Sequence, residues 1–127
     1  MPTLLFPSIL FIFLHLNHWS FTNPGRTMVK IVALYKKPGE VEDFDKHYDE
    51  VHIPLLRKYP GLHKLEITRI TGAPIGETKF HVMAEIYFDT RQALDVALVS
   101  QEGKAVARDL LSFAAPLVTV FIGEVDA

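Results

Sequence analysis

A tyrosine and a histidine in the first half of the chain have the types and the spacing of an acid–base pair. Tyr48 and His52 are four residues apart, so in a helix their side chains lie on one face. The imidazole of histidine titrates near neutral pH and can either accept or donate a proton. The pair predicts a site in which His52 exchanges a proton with a ligand while Tyr48 donates a hydrogen bond to the oxygen that becomes negative.

Pro54 follows this pair and interrupts an otherwise helical pattern. Proline has no N–H to offer the carbonyl group of Glu50, and it disfavours helical geometry at Ile53. A kink or a restart of the helix is therefore expected beside His52. This leaves a second interpretation of His52, as a structural residue that satisfies the carbonyl group freed by Pro54.

A third candidate catalytic residue, Glu85, lies in the segment from Phe80 to Phe88, where apolar and polar residues alternate. The alternation predicts a strand whose apolar face packs beneath helices, with Glu85 on the opposite face. Glu85 can join His52 and Tyr48 only if the end of the first helix overhangs the edge of the sheet or if the cavity opens past that edge. The alternative is a carboxylate that is solvated or paired with a cation between subunits.

The other histidines after residue 28 are interpreted as structural. His47 has Asp43 and Glu50 as neighbours on its own helix and is expected to be a solvated, ion-paired residue. His47 and His52 are five residues apart, do not share a face of an α-helix, and are not expected to bind a metal together. Two further histidines are expected at the rim or the entrance of strands: His63 and His81.

Composition excludes several classes of site. The 127 residues hold no cysteine, which excludes a disulfide scaffold, a thiolate nucleophile, a cysteine-ligated zinc site and an iron–sulfur cluster. The net charge is -2 without a basic patch, so nucleic acid is not an expected partner. Residues 72–76 contain a proline and precede a strand, which does not fit a phosphate-binding loop. We therefore expect chemistry without a cofactor or a metal.

Residues 1–27 differ from the rest of the chain, because Arg26 is the first charged residue. The apolar stretch from Leu4 to Leu16 is shorter than the ~20 helical residues that span a membrane, and it lacks the basic start and the cleavage site of a secretory signal. Three interpretations remain open: upstream sequence from a start codon assigned too early, a targeting or anchoring segment, and a folded extension. The folded domain is expected to comprise residues 28–127, to be cytoplasmic, and to contact a membrane only if the first segment is retained.

From residue 28 onward the chain is predicted to form two successive β–α–β units. The first helix is indicated by an apolar stripe between residues 41 and 59, and the second lies between residues 90 and 115 with a break at 100–103. Four strands are indicated by short apolar or alternating runs: residues 29–35, 65–70, 80–88 and 117–122.

This order of elements predicts an α+β fold, a ferredoxin-like βαββαβ sandwich in which both helices cover one face of a four-stranded antiparallel sheet. The other face is expected to carry His81, Met83, Glu85 and Tyr87. Because 49% of the residues are apolar and a monomer would leave Met83 and Tyr87 in water, we expect a homodimer formed through this face. Two sheets packed in this way form a dimeric α+β barrel.

The residues around the Tyr48–His52 pair resemble the signature of EthD-domain proteins: Tyr48, His52, Pro54 and Leu55 hold the characteristic positions. The resemblance covers residues 28 to about 125, and Tyr87 stands where the family often carries tryptophan. Four further runs contribute to it: Val32–Gly39, Pro60–Leu62, Ala84–Asp89, and Ser100–Gly103 together with Asp109.

The resemblance implies a dimeric α+β barrel with a small, largely apolar ligand cavity in each subunit. The family is named for a role in bacterial degradation of ethyl tert-butyl ether, where its member acts alongside an oxidising system. Related domains include cofactor-free isomerases of muconolactones and fungal polyketide-tailoring decarboxylases or dehydratases. The resemblance therefore fixes a fold and a kind of cavity, and it leaves the reaction open.

Three functions remain open from the sequence. The first is a cofactor-independent enzyme that transfers a proton, as a lyase, an isomerase or a step of an oxidative pathway, on a small aromatic, lactone or polyketide-like molecule, with His52 as acid or base. The second is a non-catalytic accessory protein of an oxidative degradation pathway, which binds a small apolar or aromatic molecule in the same cavity. The third is a membrane-tethered interaction protein, which requires residues 1–27 to be functional.

Overall fold

The computed structural model of the chain describes residues 28–126. Within this range the strands are β1 (Val29–Lys36), β2 (Leu62–Arg69), β3 (Phe80–Phe88) and β4 (Val118–Glu124). The helices are α1 (Val41–His47), α2 (Ile53–Leu56), α3 (Arg91–Val99) and α4 (Gln101–Ala114), and a π-helical turn (Tyr48–His52) joins α1 to α2. The predicted interpretations of residues 1–27 concern a segment outside the described residues.

The four strands form one antiparallel sheet in the order β2-β3-β1-β4. This order, with the helices on one face, is the predicted ferredoxin-like sandwich, which is thereby confirmed. The sheet of a single chain is open, with β2 and β4 at its edges. Within residues 28–126, none of the helices has the length and apolarity needed to cross a membrane.

The two central strands, β1 and β3, supply the floor of the core. Along each strand, residues that face the helices alternate with residues that face away from them, as the two-residue period of a strand requires. Inward residues of β1 pair with inward residues of β3. On β3 the inward side chains are almost completely buried: Val82, Ala84, Ile86 and Phe88. The helices pack against this floor in two clusters, one around Phe88 and one around Tyr35 and Tyr48.

Ser100 makes the predicted break between α3 and α4, which is confirmed. Its hydroxyl accepts a hydrogen bond from the Gly103 N–H at 2.9 Å and donates one to the Ala97 carbonyl oxygen at 2.6 Å. A β-carbon on Gly103 would lie 2.2 Å from that carbonyl oxygen, so a glycine is required where the two helices meet. The resulting angle directs α4 back across the sheet toward α1.

The predicted interruption before Pro54 takes the form of the π-helical turn. The Ile53 N–H donates to the Tyr48 carbonyl oxygen, five residues back, and Pro54 falls in the first turn of α2, where its missing N–H is not needed. Arg69 at the end of β2 donates to the Asp49 carboxylate at 2.6 Å. This ion pair ties the widened turn to the sheet.

The outer face of the sheet differs from the prediction at one residue. The β1–β3 pairing is irregular beside His81, whose Nε2 lies 2.8 Å from Asp45 of α1 and whose ring packs against Phe44. His81 therefore contacts the helix layer, and the expectation that it shares a face with Met83, Glu85 and Tyr87 is wrong. A β-bulge explains this, because an extra residue in one strand turns the following side chain.

Candidate functional site

Two histidines and one aspartate form a hydrogen-bonded group between α1 and α4. Nδ1 of His52 lies 2.8 Å from Oδ2 of Asp109, and Nε2 of His47 lies 2.9 Å from Oδ1 and 3.1 Å from Oδ2 of the same carboxylate. Exposure falls from 33% of the side chain at His47 to 13% at Asp109 and 1% at His52. The group therefore runs from the surface to the interior.

The π-helical turn explains how both histidines reach Asp109. Five residues along a regular α-helix leave two side chains about 140° apart, whereas a turn with bonds from residue i to i+5 brings them to nearly the same side. The expectation that His47 and His52 point to different faces is therefore wrong. The partner of His47 is Asp109, rather than the acidic neighbours on its own helix.

The carboxylate of Asp109 determines the tautomer of His52. An ionised carboxylate only accepts hydrogen bonds, so the Nδ1 of His52 must carry the proton and Nε2 keeps its lone pair. Burial lowers the pKa of His52 below its ordinary value, and this effect outweighs the opposite influence of Asp109. A neutral imidazole with a free lone pair is the form that accepts a proton.

Aromatic rings surround the two histidines. The Phe113 ring of α4 lies 4.5 Å from that of His47 and 5.1 Å from that of His52, measured between centroids. Tyr48 stacks on His52 at 5.6 Å, which confirms that this pair shares a helical face. The rings fix the imidazoles in place and exclude water from His52.

The Tyr48 hydroxyl is buried and has no hydrogen-bond partner among the described residues. Burial raises the pKa of Tyr48 to about 12, so the phenol is neutral near pH 7 and can act as a donor. Tyr35 of β1 packs edge-on against it at 5.3 Å, and burial raises the pKa of Tyr35 as well. An unpartnered buried donor is unfavourable by about 1–3 kcal/mol. Tyr48 is not among the residues that line the cavity beside His52, whose tyrosines are Tyr35 and Tyr59.

A narrow cavity of about 40 Å³ lies between the sheet and the helices, and His52 lines it. Its polar side chains are those of His52, Tyr35 and Tyr59. The rest of its wall is apolar, with residues from every strand except β2 and from α2 and α4: Ile31, Ala33, Leu56, Ala84, Ile86, Val106, Leu110 and Val120. This volume holds a few water molecules or one small reacting group, whereas pockets for drug-sized ligands are roughly 300–1,000 Å³.

Glu85 is not brought to His52 and Tyr48. It lies on the outer face of the sheet, where its Oε2 is 2.6 Å from Nζ of Lys30. The Lys30 ammonium also lies 5.2 Å from the centre of the Tyr87 ring. The carboxylate is therefore held in an ion pair on the side of the sheet opposite the cavity.

Asp109 and His47 are the members of this group that reasoning from sequence did not place in the site. Asp109 lies 57 residues from His52, and only the fold brings the two together. A signal existed, because Asp109 is three residues after Val106 and four before Phe113, in the apolar stripe of α4. A lone carboxylate in an apolar stripe is unfavourable unless it has a buried partner.

Within residues 28–126 no group of three or more side chains is arranged to hold a metal ion.

Comparison with known proteins assigns the family. Residues 36–116 match the EthD domain. The chain belongs to the EthD-domain family. A solved EthD family protein from Bacillus halodurans is 47% identical, with a TM-score of 0.75 over 76% of this chain and 97% of that one. An uncharacterised 11.0 kDa protein of Rhodococcus erythropolis, from the thcB-thcC intergenic region, is 26% identical over 73% of this chain and 90% of its own.

More distant structures share the fold of this EthD-domain protein. A hydroxynitrile lyase from Passiflora edulis is 12% identical, with a TM-score of 0.63 over 80% of this chain and 95% of its own. A dimeric ferredoxin-like protein from Bacteroides fragilis is 17% identical, with a TM-score of 0.55 over 79% and 96%. The fold therefore occurs in an enzyme and in a dimer, and at these identities the likeness concerns the fold alone.

Proposed function

We propose that this EthD-domain protein is a cofactor-independent enzyme in which His52 takes a proton from a small, largely apolar molecule. The observation that carries the proposal is the buried Asp109–His52 pair, at 2.8 Å, with His52 facing a cavity. A histidine oriented by a carboxylate and shielded from water is an arrangement that serves general acid–base catalysis.

The step follows from the positions of the protons. Nε2 of His52 accepts a proton from a carbon or a hydroxyl group of the ligand, and Asp109 stabilises the imidazolium that forms. The electron pair that remains on the ligand moves to an oxygen, to which the neutral phenol of Tyr35 or Tyr59, both of which line the cavity with His52, donates a hydrogen bond. The same nitrogen then returns the proton to another carbon, which completes an isomerisation. In an elimination, the electron pair instead expels a leaving group from the neighbouring carbon, and the imidazolium gives its proton to that departing group.

The wall of the cavity supports a substrate class of small aromatic, lactone or polyketide-like molecules. Its side chains are aliphatic except for His52 and two tyrosines, so a charged ligand would lose its hydration without compensation. The present volume of about 40 Å³ admits the reacting group only. A complete substrate requires Leu56 and Leu110, which line the cavity between the helices and the sheet, to move aside.

The enclosed apolar cavity also supports a second candidate, an accessory protein that binds the same kind of molecule without converting it. The two candidates differ in whether His52 exchanges protons with the ligand. The membrane-tethered alternative depends on residues 1–27, outside the described range, and together with the cytoplasmic location it stays a prediction.

We infer that the protein forms a homodimer through the outer face of the sheet. On β4 the Phe121 side chain lies opposite Val32 of β1, on the same side as Met83 and Glu85, and it is 48% exposed. We expect light scattering to give a dimer for the wild type and a monomer for Phe121→Asp. Val96→Asp on α3, which changes another exposed apolar residue, is the matched control and should remain dimeric. A wild-type monomer at micromolar concentration would contradict this assembly.

The proposal is tested by deuterium exchange, which requires abstraction of the ligand proton, its replacement on His52 by deuterium from the solvent, and return of that deuteron to the ligand. Small lactones and phenolic ketones with acidic C–H groups are incubated with the protein in D₂O, and the loss of their proton signals is followed by NMR. We expect the wild type to accelerate exchange for at least one compound and His52→Gln to reduce that acceleration by about 10²–10⁴-fold. His63→Gln, which changes an exposed histidine paired with Asp89, should exchange like the wild type.

Two results would count against catalysis. Exchange by His52→Gln at the wild-type rate would remove His52 as the base. Binding of these compounds, seen as shifts of the protein signals, without any exchange would favour the accessory role.

A further inference from the structure

We propose that His47 is a positioning residue that acts on His52 through Asp109: its Nε2–H fixes the orientation of the shared carboxylate, and its own charge couples the buried histidine to the solvent. This inference rests on the proposed role of His52 as a base, and it gives His47 a function beyond the surface ion pair expected from sequence.

The hydrogen bonds from His47 restrict the rotation of the Asp109 carboxylate. Its Nε2–H faces both oxygens of Asp109, at 2.9 and 3.1 Å, while Nδ1 of His52 contacts only Oδ2. Asp109 is on α4, whereas both histidines come from the α1 side of the interface. Without His47, Oδ1 loses its partner and the carboxylate can rotate toward water, which weakens the bond that holds the proton on Nδ1 of His52.

Asp109 differs from the other aspartates that pair with histidines in the described part of the chain. His63 pairs with Asp89 by proximity alone, and His81 hydrogen-bonds to Asp45, so each of these carboxylates contacts one histidine. Asp109 serves two histidines, one exposed and one buried. A surface ion pair alone does not require this sharing.

The coupling to solvent follows from the position of His47 at the surface. It borders an open cleft of about 310 Å³, together with Phe113 of α4 and with the carboxylates of Glu40 and Asp43. When His47 gains a proton, its charge neutralises part of the charge of Asp109, which then holds a proton on His52 less strongly. A charge on His47 lowers the pKa of His52, in the same direction as burial.

The other groups that face His52 do not vary with pH in the same range. Tyr48 of the π-helical turn and Tyr35 of β1 both have a raised pKa and stay neutral, and Tyr59, which follows α2, also has a raised pKa. Arg69 of β2, which lies over the Tyr48 ring, is a permanent cation. Among these neighbours, His47 is the one at the surface whose side chain exists in both a neutral and a charged form.

The test reads the tautomer and the titration of His52 by ¹⁵N NMR of the full chain, without a substrate. His47→Ala removes the donor and the charge. His47→Gln keeps an N–H donor at a similar reach and cannot become a cation. His63→Gln is the matched control, because it also removes a partly exposed histidine that is paired with an aspartate.

For His47→Ala we expect the ratio of the Nδ1–H to the Nε2–H tautomer of His52 to fall on the order of tenfold. For His47→Gln we expect the ratio to be retained and the midpoint of the His52 titration to rise, because a charge that lowers it is removed. The inference is overturned if both variants leave the tautomer and the midpoint of His52 at their wild-type values, or if His63→Gln shifts them equally. These NMR readouts do not depend on catalysis. A negative result for His47 therefore leaves the exchange test of His52 valid, and a negative exchange test leaves the NMR test of His47 valid.

Discussion

Replacing Asp109 by asparagine keeps the shape of the side chain and changes what it can bond. The carboxylate offers two acceptor oxygens, one of which faces His52 while both face His47. An amide offers one oxygen and one NH₂ group. If the oxygen serves His47, the NH₂ group faces Nδ1 of His52, and that histidine must move its proton to Nε2, where the lone pair of the base was.

The magnitude follows from the contacts that are lost. A hydrogen bond to a charged group contributes about 1.5–3 kcal/mol, and Asp109 makes such bonds to two histidines. Since His47 is partly exposed, its share is discounted, and we expect Asp109→Asn to lower the free energy of unfolding by about 1.5–3 kcal/mol. In a domain of this size each kcal/mol lowers the melting temperature by about 4–8 °C. Proton abstraction should slow by about 10²–10⁴-fold.

Denaturant unfolding measures the first effect, and deuterium exchange of an active compound measures the second. The matched control is Asp89→Asn, which changes an exposed aspartate that lies 2.8 Å from the exposed His63. The control should alter the free energy of unfolding by less than about 0.5 kcal/mol and leave exchange unchanged. If Asp109→Asn behaves like Asp89→Asn in both assays, Asp109 does not orient the base.

Three further predictions concern individual groups. Tyr48→Phe removes a buried hydroxyl that has no partner among the described residues, so thermal melts should show equal or higher stability; a loss of stability would contradict this. Because burial lowers the pKa of His52, the unfolded chain binds a proton at this residue at a higher pH than the folded chain does, and the free energy of unfolding should fall as the pH decreases below about 6.5. The His52→Gln variant should lack this part of the pH dependence. A pH profile of stability in that variant equal to that of the wild type would refute the assignment. Gly103→Ala should lower the free energy of unfolding by about 1–3 kcal/mol in denaturant titrations, because its β-carbon meets the Ala97 carbonyl, and unchanged stability would refute the clash.

The fold could be predicted because its signals are local. The alternation from Phe80 to Phe88 predicts β3, and the structure has the strand with the same bounds and with the predicted face buried. Ser100 and Gly103 break the second helix where the sequence indicates, through a cap and a close contact within six residues. Local chemistry of this kind is visible in a single sequence.

The site could be predicted only in part, because its members interact over a distance. Tyr48 and His52 are near each other in sequence, and their pairing is visible from the helical period. Two features depend on structure that the sequence pattern does not encode: the π-helical turn, which adds a residue to one turn, and Asp109, which α4 brings to His52 across 57 residues. The same limit applies to Glu85, whose partner Lys30 is also distant in the chain.

The most direct test of His52 as a neutral base is the ¹⁵N NMR titration of the wild-type protein itself. The structure predicts a neutral His52 ring from about pH 6.5 upward, with the proton on Nδ1 bonded to Asp109 and with a titration midpoint below the ordinary value for histidine. A His52 that is protonated at pH 7, or that carries its single proton on Nε2, has no lone pair to offer a ligand at Nε2 and would contradict the proposed chemistry.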